Sequence, residues 1–171
     1  LPKDPHKVDA AAYNSVVGRT VLRGIRLTET RFDIKPEALE LDASTWRNSI
    51  SGEAVEVFTD PEIGRLYGIF LFEVICRHRR KRLLSASARY LVSYQVTGDC
   101  DPNIGELFVE RVGRVVAYPY FRAVVASLVS QAGIQMPPLP IISLAPRSVA
   151  SARDLEELGP IKVLAETRDA P

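Results

Sequence analysis

The chain has 171 residues, with 22 Lys and Arg against 21 Asp and Glu, a formal charge of +1 and 46% hydrophobic residues. That is the composition of one ordinary globular domain spanning residues 1–171, expected to hide roughly 70% of its unfolded surface, and its balance leaves no whole-chain field to draw in nucleic acid or a membrane. Cys76 and Cys100 have neither a second pair nor a histidine cluster beside them, which excludes a disulfide scaffold and a zinc site and reads as reduced thiols in a cytoplasmic protein.

Residues 1–7 hold two prolines and three charged side chains, too little apolar content to pack, and read as a loose lead-in. They have no signal-peptide layout and no initiating Met, so the chain is expected to begin after the natural start. From Val8 to Thr20 the residues Val8, Ala12, Val16 and Thr20 recur every four positions, with Asp9 where a helix N-terminus favours an anion; this predicts a short amphipathic helix. Ile25 and Leu27 take odd positions while Phe32 and Ile34 take even ones, which predicts a strand with a bulge near Thr28–Thr30. Beyond Pro36, the alternation of Leu39, Leu41 and Ala43 with Glu40, Asp42 and Ser44 predicts a second strand with one wet face, reaching toward Trp46. Asn48–Gly52 reads as a turn, and Val55 and Val57 alternate again up to Asp60.

Leu66 to Arg77 is apolar on both parities, the mark of a central strand. Its interruption by Glu73 and its length make it a core strand, far short of the roughly 20 residues of a membrane helix. Ser85–Val96 alternates Ala86, Ala88, Tyr90, Val92, Tyr94 and Val96 against Ser85, Ser87, Arg89, Ser93 and Gln95, so the basic run Arg77–Arg82 between the two strands is a hairpin tip. After Asn103 the period changes to about 3.6, and Ile104–Gln131 reads as a helix with an apolar stripe through Leu107, Val112, Val116, Phe121, Val125 and Leu128, broken or kinked near Tyr118-Pro119. Pro137, Pro138, Pro140 and Pro146 hold Met136–Pro146 extended as an apolar crossover. Ser151–Asp154 resembles a capping box that opens a short helix through Leu155 and Leu158, stopped at Gly159-Pro160, and about 162–171 should fray.

The chemistry is sparse. His6 and His78 are the only histidines, one in the lead-in and one in the basic turn, a poor base for a nucleophilic hydrolase. Neither a P-loop nor a dinucleotide fingerprint is present. Asp99, Asp101 and Glu106 miss the EF-hand spacing and read as helix caps, not calcium ligands. The run Arg77–Arg82 could meet phosphates, but no aromatic residue interleaves it, and a solvated turn that discourages edge pairing is favoured over a nucleic-acid site. From Arg111 to Arg153 there is no acidic residue, so this stretch would suit a partner with apolar and acidic groups.

The segment Tyr118-Pro119-Tyr120-Phe121-Arg122, continuing through Ser127 and Ser130 to Met136-Pro137-Pro138-Leu139-Pro140-Ile141-Ile142-Ser143-Leu144-Ala145-Pro146, resembles the signature of the SecB-like chaperones. In these an aromatic-Pro-Tyr-x-Arg helix start leads through a proline-containing crossover to Leu-Ala-Pro. The upstream strands agree, and the resemblance covers about residues 20–159. It implies an α+β fold in which a four-stranded antiparallel sheet packs on a long C-terminal helix, here with an additional short N-terminal helix. It implies a dimer of dimers that holds unfolded polypeptides in the cytoplasm with no cofactor, metal or catalytic residue. The resemblance places peptide contacts at Leu39 and Leu41, at Leu139, Ile141, Ile142 and Leu144, and at Val149, Leu155 and Leu158. Tyr118, Tyr120 and Phe121 fall where they would support the groove or a subunit contact.

Two departures from the general export members are visible. Those carry acidic residues on the sheet face for docking the translocase motor, whereas the matching strand here is fed by Arg77–Arg82 and carries Arg89. The N-terminal helix at Val8–Thr20 resembles instead the SecB-like chaperones of toxin–antitoxin–chaperone systems, which protect the aggregation-prone C-terminal tail of an antitoxin. That dedicated role is the leading expectation, general export the alternative, and a nucleic-acid module on 77–82 the third.

Overall fold

A computed structural model describes residues 10–141 together with the short strand at 163–164. The expected helix spans Ala10–Arg19 (α1), with Val16 buried. It leads into β1 (Thr20–Ile34), half-buried at Thr20, Gly24, Ile25, Glu29, Phe32 and Ile34; the even positions Phe32 and Ile34 face inward as read in the sequence, but of the odd pair only Ile25 does, Leu27 being exposed. Then come β2 (Arg47–Asp60), β3 (Arg65–His78), β4 (Lys81–Val96), α2 (Pro102–Gln131) and β5 (Val163–Leu164). The four long strands form an antiparallel sheet in the order β1-β4-β3-β2, and β5 adds to the outer edge of β2 with Ser49 opposite Leu164.

Two expectations are corrected between β1 and β2. The strand read at Leu39–Ala43 is instead a pair of 3-10 turns, Pro36–Glu40 and Ala43–Thr45. Pro36 presets the first, and Asp42 caps the second, its carboxylate accepting from Ser44 N at 2.9 Å and Ser44 Oγ at 2.7 Å. The backbone there bonds locally, Ala38 N to Lys35 O and Trp46 N to Ala43 O, leaving nothing for a ladder. The turn read at Asn48–Gly52 is the interior of β2. Gly52 serves there as a gap in the side-chain layer: a Cβ on it would stand 2.7 Å from the Phe72 ring, so the glycine admits an aromatic neighbour.

The basic run sits at the β3–β4 hairpin tip as expected, with Arg79 in the left-handed region at φ 55°. In β3 and β4 the even-numbered positions from Leu66 to Cys76 and from Leu84 to Val96 are all buried. The odd-numbered positions of β4 from Ser85 to Gln95 are only half-buried.

Helix α2 starts as the cap reading requires. Asp101 Oδ1 accepts from Asn103 N at 2.9 Å, and Pro102 occupies the first helical position, where its missing N–H costs nothing. Of the break or kink expected near Pro119, no break occurs, since the helix runs through Pro119 to Gln131. In length and hydropathy α2 would also suit a membrane span; Phe108, Val109, Phe121, Val125 and Val129 are among its buried apolar residues, while Leu107, Val112, Val116 and Leu128 are half-buried.

The contacts gather into two compact units, residues 10–28, 54–70 and 89–117 in one and 29–53, 71–88 and 118–141 in the other. In the first, Phe108 packs edge-on to Tyr94 at 5.2 Å, and Gly68 lies so near Val109 that a Cβ would approach it to 2.6 Å. In the second, Phe121 stacks on Phe72 at 5.5 Å and Tyr118 tilts against the same ring at 5.9 Å. No polar or charged residue is fully buried among the described residues.

Candidate functional site

The site is built where α2 stops. Gly133 takes φ 73°, which only glycine adopts freely. Its N–H donates to Ser130 O at 3.0 Å while the Ile134 N–H donates to Val129 O at 3.1 Å. This is a Schellman stop, with Ile134 and Val129 both buried as its apolar contact. It turns the chain back along the helix as an extended segment from Ile134 to Ile141, where Pro137, Pro138 and Pro140 offer no N–H to any ladder.

Three tethers hold this crossover. Tyr118 Oη donates to Pro140 O at 2.9 Å, Arg122 Nε donates to Leu139 O at 2.9 Å, and Cys76 Sγ lies 3.7 Å from Met136 Sδ. Burial pushes the Cys76 thiol up to about 12, so it stays protonated and packs as a small hydrophobe. Burial also raises the Tyr118 phenol, with Arg122 beside it pulling the other way; it remains a hydrogen-bond donor.

Between the crossover and the last turns of α2 opens a groove of about 610 Å³, walled by Pro119, Ala123, Val125, Ala126 and Val129 on the helix and by Ile134 and Met136–Leu139 opposite, within the size range of ligand-binding clefts. Among the described residues, Arg122 is its one ionisable lining residue. A second cavity of about 230 Å³ shares Gly133, Ile134 and Gln135 with it and reaches Ala38, Leu39, Leu41 and Asp42. The lining surface of this second cavity is mostly polar. The groove can take an extended apolar chain; among the described residues no three His, Cys, Asp or Glu side chains converge as metal ligands would.

Of the residues expected at the site, Leu39 and Leu41 line the second cavity and Leu139 the groove, whereas Ile141, Tyr118, Tyr120 and Phe121 line neither. Leu39 is 64% exposed, Leu41 37% and Ile141 75%, whereas Leu139 is buried at 4%. Tyr118 and Phe121 are core residues against Phe72, and Tyr120 is exposed. Ile142, Leu144, Val149, Leu155 and Leu158, and with them the expected capping box and last helix, lie outside the described residues. The sequence pattern does not single out Val129, Gly133, Gln135 or Arg122 as site residues. The available signal was the coincidence of a glycine helix stop with Tyr118 and Arg122 one turn apart on the preceding helix.

No protein-family model and no curated protein matches the chain. Among solved structures it is similar to a SecB-like chaperone of Mycobacterium tuberculosis, solved in complex with a ChAD peptide from the HigA1 antitoxin. The TM-score is 0.64 at 20% identity, over 78% of this chain and 97% of that one. A protein of unknown function from Streptococcus agalactiae aligns over 72% of this chain and 97% of its own at 9% identity, but its TM-score of 0.38 is too low to define a shared fold. With its sheet, its short first helix, its long last helix and the proline-rich return along it, the chain has the SecB-like chaperone fold.

Proposed function

We propose that the protein is an ATP-independent holdase that lays apolar segments of an unfolded polypeptide, foremost the C-terminal tail of a cognate antitoxin, into the groove between α2 and the crossover. The observation that carries this reading is the groove itself, lined mainly by apolar residues on both walls. The antitoxin peptide held by the structural neighbour of the same fold supports the choice of client. Exposed Leu39, Leu41 and Ile141, with Ile142, Leu144, Val149, Leu155 and Leu158 from the sequence, supply contact surface, at roughly 0.8 kcal/mol for each buried methylene before ordering costs.

The protein acts in the cytoplasm as a dimer of dimers, so that one oligomer holds several segments at once. Self-association is supported by the outer edge of β1, where Val21, Leu22 and Leu27 are exposed and no strand pairs among the described residues.

The test is co-expression of the tagged chain with the small proteins encoded beside it, followed by mass determination of what co-purifies. Light scattering of urea-diluted luciferase without nucleotide measures holding directly. A stoichiometric antitoxin and suppressed scattering are expected. Unfolded precursors bound together with the translocase motor, and no antitoxin, would move the function to general export, and unsuppressed scattering would sink the holdase reading.

A further inference from the structure

We propose that the groove selects apolar segments that carry a carboxylate, and that Arg122 is the residue that reads it. This deepens the reading above and rests on it. Arg122 is half-buried and, among the described residues, is the sole ionisable one lining the groove. Among the exposed cations elsewhere in the same unit, Lys81 meets Glu37 at 2.6 Å, Arg31 meets Glu29 at 2.7 Å and Arg82 approaches Asp33 at 3.9 Å, while Arg47, Arg79 and Arg80 are hydrated at the surface. Arg122 has no acidic partner among the described residues, and its neighbourhood in sequence offers none, because residues 111–153 contain no Asp or Glu. A guanidinium partly withdrawn from water without a counter-charge is costly, and a client carboxylate entering the groove would remove that cost.

The geometry prepares Arg122 for this. Its Nε is held by Leu139 O at 2.9 Å, which fixes the guanidinium plane against the crossover and leaves its terminal N–H groups for a ligand. A fixed planar fork is the arrangement that carboxylates pair with best. In the second cavity the one acidic residue among the described lining, Asp42, is committed to Ser44. It would repel a client carboxylate there, so the client's acid belongs in the groove beside α2.

The experiment measures fluorescence polarisation of the full chain with three labelled peptides of Leu, Phe, Val and Ser. One carries a central Asp and an amidated end, the second Asn in its place, the third that Asn with a free C-terminal carboxylate. We expect the Asp peptide to bind about tenfold tighter than the amidated Asn peptide at low salt, with the gap narrowing as salt rises. Arg122→Gln should erase that ratio. Tyr118→Phe, which removes the companion tether and leaves the charge, should weaken all peptides alike and preserve it. Restored affinity in the third peptide would assign a chain terminus as the source, and no restoration a side chain. Equal affinities, or an Arg122→Gln that weakens every peptide by one factor, would overturn the proposal while leaving the holdase reading standing; absence of binding by any peptide would overturn both. A preference that emerges only when Asp154, Glu156 and Glu157 are changed to Asn and Gln would give Arg122 to the chain's own C-terminal segment, against the proposal.

Discussion

Tyr118 and Arg122 stand one turn apart on α2 and hold the carbonyls of two successive residues, Pro140 and Leu139, each at 2.9 Å. Through this pair the helix fixes the opposite wall of its own groove. The crossover cannot hold itself, since prolines occupy three of the five positions from Pro137 to Ile141. Tyr118→Phe should therefore cost about 1 kcal/mol, lower the melting temperature by about 2–4 °C for a chain of this size, and speed proteolysis between residues 136 and 141. A melting loss with unchanged cleavage there would assign the hydroxyl to general stability and not to the wall.

Two helical glycines are predicted to respond in opposite senses to the same change. A Cβ on Gly113 would collide with the ring of Phe70, whereas nothing lies within 4 Å of one on Gly18 in α1. Gly113→Ala should destabilise by about 1–3 kcal/mol through overpacking. Gly18→Ala should stabilise by up to about 1 kcal/mol, because alanine loses less freedom in a helix. Chemical denaturation of the two variants checks both signs, and a neutral Gly113→Ala would mean that α2 and β3 are not in this close approach.

Alkaline pH should loosen the fold in two stages. Burial raises the Cys76 thiol from 9.0 to about 12 and the Tyr90 phenol from 10.0 to about 12, and raises Tyr94 in the same direction. Each stays protonated in the folded chain while the unfolded chain loses its proton, so the stability is present below the unfolded value and lost as pH climbs toward the folded one. Cys76 acts between pH 9 and 10, at up to about 1.4 kcal/mol per pH unit, joined more weakly by the less buried Cys100 thiol, which burial also raises; the tyrosines join above 10. Thermal melts should show the first stage shrink in Cys76→Ala and the second persist. An unchanged profile in that variant would contradict burial of the thiol.

Much of this architecture is legible where one signal dominates. The long alternation in Ser85–Val96 fixes a strand and its inward face, the change of period after Asn103 fixes α2, and Asp101 before Pro102 fixes where it begins. The pattern misleads where local bonding competes with it. Leu39 and Leu41 alternate with polar residues as a strand would, yet Pro36 and the Asp42 cap divert the backbone into 3-10 turns. Gly52 looks like a turn residue because the sequence does not reveal that Phe72 of a neighbouring strand needs the space. The groove is harder still to read. Arg122 is one basic residue on an apolar helix until the crossover returns and gives its Nε a carbonyl to hold.

Leu139 and Ile141 separate the two roles that an apolar crossover residue can play. They are two positions apart, but Leu139 is 4% exposed and Ile141 75%. Leu139→Asp would bury an unpaired carboxylate, a change expected to cost several kcal/mol and to abolish the cooperative melt in circular dichroism. Ile141→Asp leaves the charge in water, so the melt should stay within about 0.5 kcal/mol of the parent. If Ile141 belongs to the client surface, the same substitution should nevertheless weaken peptide binding several-fold, because the apolar area it offers is replaced by a group that must be desolvated. Unchanged affinity in a folded Ile141→Asp would confine the client to the walls formed by α2 and residues 133–139, and loss of the fold would place Ile141 in the core.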